Sequence, residues 1–95
     1  MLIGVLRVEY RLHSVFTKKE KRNIANSLKQ KIRNKFNVSV AEVDKQENLG
    51  SLVLGIITVS NEARKIDKVL QKCAAMLEDI SSEEIWDISM EIIGV

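Results

Sequence analysis

The chain of 95 residues is too short for two ordinary domains and long enough for one small core. Its composition, 45% hydrophobic and 29% charged, excludes a disordered polypeptide, and the longest apolar run, Leu52 to Ile57, is far too short to span a bilayer. The net charge of +2 conceals a segregation: residues 18–35 hold eight bases and one acid, whereas residues 78–95 hold six acids and no base.

Leu2 to Leu12 alternates. Its even positions are apolar, and its odd positions change from Ile3 and Val5 to Arg7, Glu9 and Arg11, which predicts a strand buried on both faces over its first half. Thr17 followed by Glu20 is a capping-box pattern, and Ile24, Leu28, Ile32 and Phe36 then recur every four residues, predicting a helix over about 18–36 that ends at Asn37. Val38 to Val43 is valine-rich and reads as a strand. Polar Asp44 to Gly50 reads as a hairpin loop, and Ser51 to Ser60, the most apolar strand, is expected at the centre of the sheet. Asn61 is the expected N-cap of a second helix over about 62–79, whose apolar side runs from Ile66 to Ile80. A last strand over 85–93 has one core face, Trp86, Ile88, Met90 and Ile92.

This order, βαββαβ, with right-handed crossovers and a tight central hairpin, selects an α+β class: a single ferredoxin-like domain over 1–95. Two helices are expected on one face of a four-stranded antiparallel sheet ordered 4-1-3-2. The first and third strands, apolar on two faces over part of their length, then form the central pair.

On a helical wheel Lys18, Arg22, Lys29 and Arg33 fall within about 60° of one another and make a stripe roughly 22 Å long, with Lys19 beside it. Lys21, Lys31 and Lys35 fall nearer the apolar stripe, where they are expected to snorkel around the core edge. The second helix gathers Arg64, Lys65, Lys68 and Lys72 more loosely, and the two basic stripes are expected to form one surface. Lys18 and Lys19 occupy the first helical turn, the positive end of the helix dipole, at a cost of a few tenths of a kcal/mol each, roughly. A local rule broken in this way points to a site. The candidate nucleic-acid-binding residues are therefore Lys18, Lys19, Arg22, Lys29, Arg33, Lys65, Lys68 and Lys72, with an ordinary solvated helix face as the competing reading.

Catalytic chemistry has little to work with. His13, the single histidine, has no recognisable nucleophile or carboxylate partner and reads as an exposed structural residue. Cys73 falls on the apolar side of the second helix and reads as a buried, inert thiol. Glu42, Asp44 and Glu47 crowd the hairpin without the spacing of a calcium loop, and the phosphate-binding signatures GxGxxG and GxxxxGK[ST] are missing. Gly4 and Gly55 read as close-packing positions. No catalytic residue, metal or cofactor is expected, and an enzyme is the least favoured class. The third strand carries no aromatic residue, which argues against base stacking on the sheet as in RNA-recognition motifs. The start MLIGVLRVEY lacks the features of a secretory signal, and with a lone cysteine the expected location is cytoplasmic.

The segments KKEKRNIANSLKQKIRNKFNVSVAEVD (18–44), VLGIITVSN (53–61) and IGVLRVEYRL (3–12) resemble the YlxP-like family, the bacterial domain of unknown function numbered 503. The distinctive parts are the KEKR run (19–22), the FNVSVAEVD segment (36–44) and the VSN helix start (59–61). Where the family usually reads SLKEKR, this chain carries Phe16, Thr17 and Lys18 before the EKR part, and Thr17 can still cap the helix. The resemblance implies the same ferredoxin-like fold and no known activity. It also implies, by the family's frequent gene neighbourhood near ribosome-binding factor A, a ribosome- or RNA-associated role. The expectation is a cytoplasmic binding module for ribosomal RNA or the ribosome that uses the basic helical face. The alternative is a homo-oligomeric structural or interaction protein without nucleic-acid binding, a homodimer through the helix-free sheet face, with no membrane partner.

Overall fold

A computed structural model describes residues 1–95. Its elements are β1 (Leu2–Arg11), α1 (Lys18–Lys35), β2 (Ser39–Asp44), β3 (Ser51–Ser60), α2 (Ala63–Ile80) and β4 (Glu84–Gly94). All strand pairs are antiparallel and the sheet runs β2-β3-β1-β4, which is the expected 4-1-3-2 order of the ferredoxin-like α+β fold.

The alternation of the central strands places the core. Leu6, Val8 and Tyr10 of β1 and Leu52, Leu54 and Ile56 of β3 point to one side, where Leu28 and Ile32 of α1 and Ile66, Leu70, Cys73 and Leu77 of α2 close over them. The other side of the sheet carries no helix. Thr17 caps α1 as its spacing predicts: its Oγ1 accepts from the Glu20 N–H at 3.1 Å and donates to the Glu20 carboxylate at 3.0 Å. The helix ends one turn-position early, at Lys35, with Phe36 donating its N–H to the Ile32 carbonyl.

Three sequence expectations need correction. β1 is buried on both faces at Val8–Tyr10 and not over its first half, where Ile3 and Val5 are only half-buried. Asn61 does not cap α2. Glu62 holds the cap position without a side-chain bond, and the entering turn is closed by the Ser60 hydroxyl, which accepts from the Glu62 N–H at 3.1 Å. Trp86 is not core but 55% exposed. The β1–β4 register slips between Glu9 and Tyr10: Glu9 faces Asp87 while Tyr10 faces Ile85, leaving Trp86 as the extra residue of a bulge. Ile85 takes the inward place and packs against the core, and Trp86 stacks on the Arg11 guanidinium, 3.5 Å from the ring centroid.

The strand glycines serve packing, as expected. A Cβ on Gly4 would overlap Ile66 Cγ2, so α2 lies almost on the backbone of β1, and a Cβ on Gly55 would meet Val43 at 2.8 Å. Ile66 is fully enclosed and cannot step aside. Gly4→Ala should therefore destabilise the chain by about 1–3 kcal/mol, read from the urea midpoint.

On the helix-free side Glu9 is almost buried, yet its carboxylate receives Lys45 Nζ at 2.7 Å and stands 3.6 Å from Arg7, which also reaches Asp44 at 3.4 Å. The Lys45 hydrogen bond, helped by the Lys45 and Arg7 charges, holds the Glu9 carboxyl below its usual 4.5 against the opposing effect of burial. Because the folded carboxyl is the stronger acid, its contribution is complete above the unfolded carboxyl range and disappears as pH falls through the folded value. The stability difference between the wild type and Glu9→Gln should be largest at pH 7 and shrink on titration to pH 3, followed by chemical denaturation at each pH.

Candidate functional site

The sequence stripe on α1 becomes one wall of a cleft. Lys18, Arg22 and Lys29 line it together with Asn26, Ala25 lies on its apolar side, and Glu42, Gln46 and Glu47 of the β2–β3 hairpin form the opposite wall; its volume is about 310 Å³. The cleft's width is set by Lys21. This side chain is 4% exposed rather than snorkelling at the core edge, and its Nζ donates to the carbonyls of Lys45 (2.8 Å), Gln46 (3.2 Å) and Asn48 (2.7 Å). The ammonium spends its three protons on those carbonyls, while Glu42 Oε2 at 3.0 Å supplies the countercharge. A bulge in β2, where Glu42 faces Leu54 and Asp44 faces Val53, leaves Val43 unpaired and keeps Glu42 on the helix side.

Within the cleft the charges sort into pairs and a surplus. Lys18 Nζ meets Glu47 Oε2 at 2.8 Å, and this hydrogen bond and charge, with the Lys21 charge beyond, hold the exposed Glu47 carboxyl below its usual range, against the small opposing effect of burial. Lys21 is matched by Glu42. Arg22 and Lys29 line the cleft without an ion-pair partner and supply its positive surplus. Arg33 lies farther along the same stripe and donates to the Val40 carbonyl, which ties α1 to the edge strand. Lys19 is exposed beside the cleft and does not line it.

The second helix does not extend this surface. Lys68 and Lys72 instead border a separate groove of about 820 Å³ with Lys35, above the apolar side chains of Phe36, Val69 and Met76. Lys65 borders a neighbouring depression, again with Lys35, and lies 3.6 Å from Glu62. The expected continuous basic face is thus two regions: the α1 residues turn toward the hairpin, and the α2 lysines turn toward the end of α1.

The remaining sequence candidates are placed as follows. His13 is exposed and meets Glu84 at 3.1 Å, joining the end of β1 to the start of β4 across 71 residues, a partner no local pattern could reveal. Cys73 is enclosed, and burial pushes its thiol up to about 11, which makes it a poor nucleophile. No group of three or more His, Cys, Asp or Glu side chains is arranged to hold a metal ion, and no helix is long and apolar enough to cross a membrane. The role of Lys21 was hidden because its wheel position, between the polar and apolar stripes, fits ordinary snorkelling. The signal that could have exposed it is an apolar-side lysine facing a hairpin loop with spare carbonyls.

Substituting Lys21→Met should remove this tie and strand Glu42 beside an apolar stem. The expected loss is about 3 kcal/mol in denaturant unfolding, with faster amide exchange confined first to residues 44–50.

The family model described as "Protein of unknown function (DUF503)" matches residues 3–90. The uncharacterized protein YlxP of Bacillus subtilis (strain 168) is 29% identical over 83 residues, covering 87% of this chain and 90% of that one. Among solved structures, SnoaB, a cofactor-independent oxygenase from Streptomyces nogalater, aligns with a TM-score of 0.48 and 9% identity over 99% of this chain and 92% of that one, a likeness from which nothing about activity follows.

Proposed function

The chain belongs to the DUF503 family of unknown function, and we propose that it is a cytoplasmic RNA-binding module, associated with the ribosome or its RNA, that grips phosphates along the α1 cleft. The observation that carries this reading is the pair Arg22 and Lys29, two cations facing one cleft with no carboxylate partner, flanked by Lys18, Lys19 and Arg33 on the same helix. Unpaired cations spaced along a rigid helix suit a polyanion whose charges repeat along a backbone, and such contacts give affinity with little sequence preference. The side chains position and neutralise; no bond is made or broken, and the reading needs no cofactor.

The α2 residues Lys65, Lys68 and Lys72 act in this scheme as a secondary basic region that an extended RNA reaches past Lys35. Their separation from the cleft makes the two regions separately testable.

Binding to ribosomal RNA by mobility shift, across a series of salt concentrations, should show a log–log slope of about −2 to −4.5 for three to five phosphate contacts. Arg22→Glu with Lys29→Glu should flatten the slope by about 1.8 and weaken binding roughly 50-fold near 0.1 M salt, with the circular dichroism unchanged. Reversal of Lys68 and Lys72 should cost about 10-fold or less. A flat salt dependence, or full affinity in the Arg22/Lys29 double variant, would overturn the reading.

A further inference from the structure

We infer that Phe16 is a base-stacking residue at the helix-start end of the α1 cleft and selects single-stranded RNA over duplex, an inference that rests on the phosphate-gripping role proposed for that cleft.

The chain holds four aromatic residues, and three of them have a place. Tyr10 is fully enclosed, Phe36 packs against the core, and Trp86 stacks on the Arg11 guanidinium. Phe16 is 77% exposed and belongs neither to the core nor to the side chains packed against it. Its neighbour Val15 does pack there, so the loop between β1 and α1 already has an apolar anchor.

An apolar residue at this position has one common structural task. Phe16 directly precedes the N-cap Thr17, where a hydrophobic side chain can staple itself onto the fourth residue of the helix. Here that fourth residue is Lys21, whose ammonium is drawn away to the carbonyls of the β2–β3 hairpin. With more than three quarters of its surface in water, Phe16 makes no such staple. The position still sets it at the head of the helix face to which Lys21 belongs, and that face, with Lys18, Arg22 and Lys29, lines the cleft. Lys18 is two residues away, at most about 7 Å along the chain. Lys19 stands exposed next to it.

The surroundings decide what the ring meets. Every other exposed large hydrophobic residue lies on a strand or at a chain end, so Phe16 belongs to no contiguous apolar patch of the kind a protein interface needs. It is followed instead by a row of cations. A lone aromatic ring beside such a row is the arrangement that holds a single strand: the cations track the phosphates, and any unpaired base offers a π face to the ring. A duplex keeps its bases stacked on one another and presents the cleft with phosphates alone. The cleft itself has a single apolar lining residue, Ala25, and no aromatic one, so Phe16 supplies the contact it lacks. A phenyl ring makes no hydrogen bond to a base edge, so it discriminates strandedness and not sequence.

Three probes separate the two kinds of contact: a short single-stranded RNA of mixed sequence, the same sequence as a blunt duplex, and inorganic polyphosphate, which has no bases. Phe16→Ala should weaken single-strand binding roughly 5- to 100-fold at every salt concentration with the log–log slope unchanged, and leave duplex and polyphosphate affinities within about 2-fold. The unfolding midpoint should not move, because the ring is exposed. Phe16→Trp should restore single-strand affinity, and its added indole emission should be quenched by the strand, against a wild type that carries only Trp86. A wild type that binds neither form of RNA overturns the reading of the cleft and the role of Phe16 with it. A wild type that binds both forms with the expected salt dependence, while Phe16→Ala keeps full single-strand affinity or loses all three probes equally, overturns the role of Phe16 alone. Unchanged RNA affinity with lost binding to whole ribosomes would make Phe16 a protein contact and overturn it as well.

Discussion

The ammonium of Lys21 fixes the geometry on which the helical side of the molecule depends. A primary amine buried beside an apolar helix stripe must find three acceptors and a countercharge, and only the β2–β3 hairpin supplies them: three backbone carbonyls and Glu42. The hairpin loop closes its own turn, with the Asn48 N–H on the Lys45 carbonyl and the Gly50 N–H on Asn48 Oδ1, and its carbonyls keep a lone pair for the ammonium. The loop thus meets the ammonium's need. Helix and loop are set at a defined separation, and the space between them is the cleft.

Lys45 extends that constraint through the sheet. It is the one non-glycine residue with a positive φ, 53°, a conformation that costs about 1 kcal/mol. The strained backbone turns its carbonyl to Lys21 on the helix side, while its own ammonium reaches Glu9 on the helix-free side. One loop residue therefore connects the floor of the α1 cleft to the charged cluster on the open face. The two bulges work with it. The β2 bulge keeps Glu42 facing α1, and the β4 bulge brings Ile85 inward and sends Trp86 out onto Arg11.

Periodicity carried the fold. Apolar spacing of two in β1 and β3, spacing of four in α1, and the Thr17–Glu20 cap are properties of consecutive residues, and they were enough to order the sheet. What stayed hidden depends on a slip or on distant partners. Trp86 sits at an apolar position of an unbroken alternation, and nothing local marks the extra residue that turns it outward. Asn61 lost the cap position to Glu62 because α2 begins one residue later than the spacing suggests, with the Ser60 hydroxyl closing the turn before it. The basic stripe of α1 was legible because helical spacing gathers it. The union of the two helices' stripes was not, because helical spacing says which residues share a face and leaves open which way that face turns against the sheet.

That turn explains what becomes of the charge segregation in the sequence. α1, with its surplus of seven positive charges, packs over β2 and β3, whereas the acidic stretch from Glu78 onward runs off the end of α2 into β4. The order β2-β3-β1-β4 puts those two strands at opposite edges. The separation is partial: Asp79 borders the groove of Lys35, Lys68 and Lys72, and Glu83 borders a depression with Lys31 of α1, whereas Asp87 and Glu91 on β4 are held at the far edge from β2, roughly 15 Å between outer strands. That exceeds the Debye length of about 8 Å at physiological salt, so the acids at the far edge do little to cancel the field at the cleft. The field at the cleft is therefore set by the local surplus of Arg22 and Lys29 rather than by the near-neutral whole.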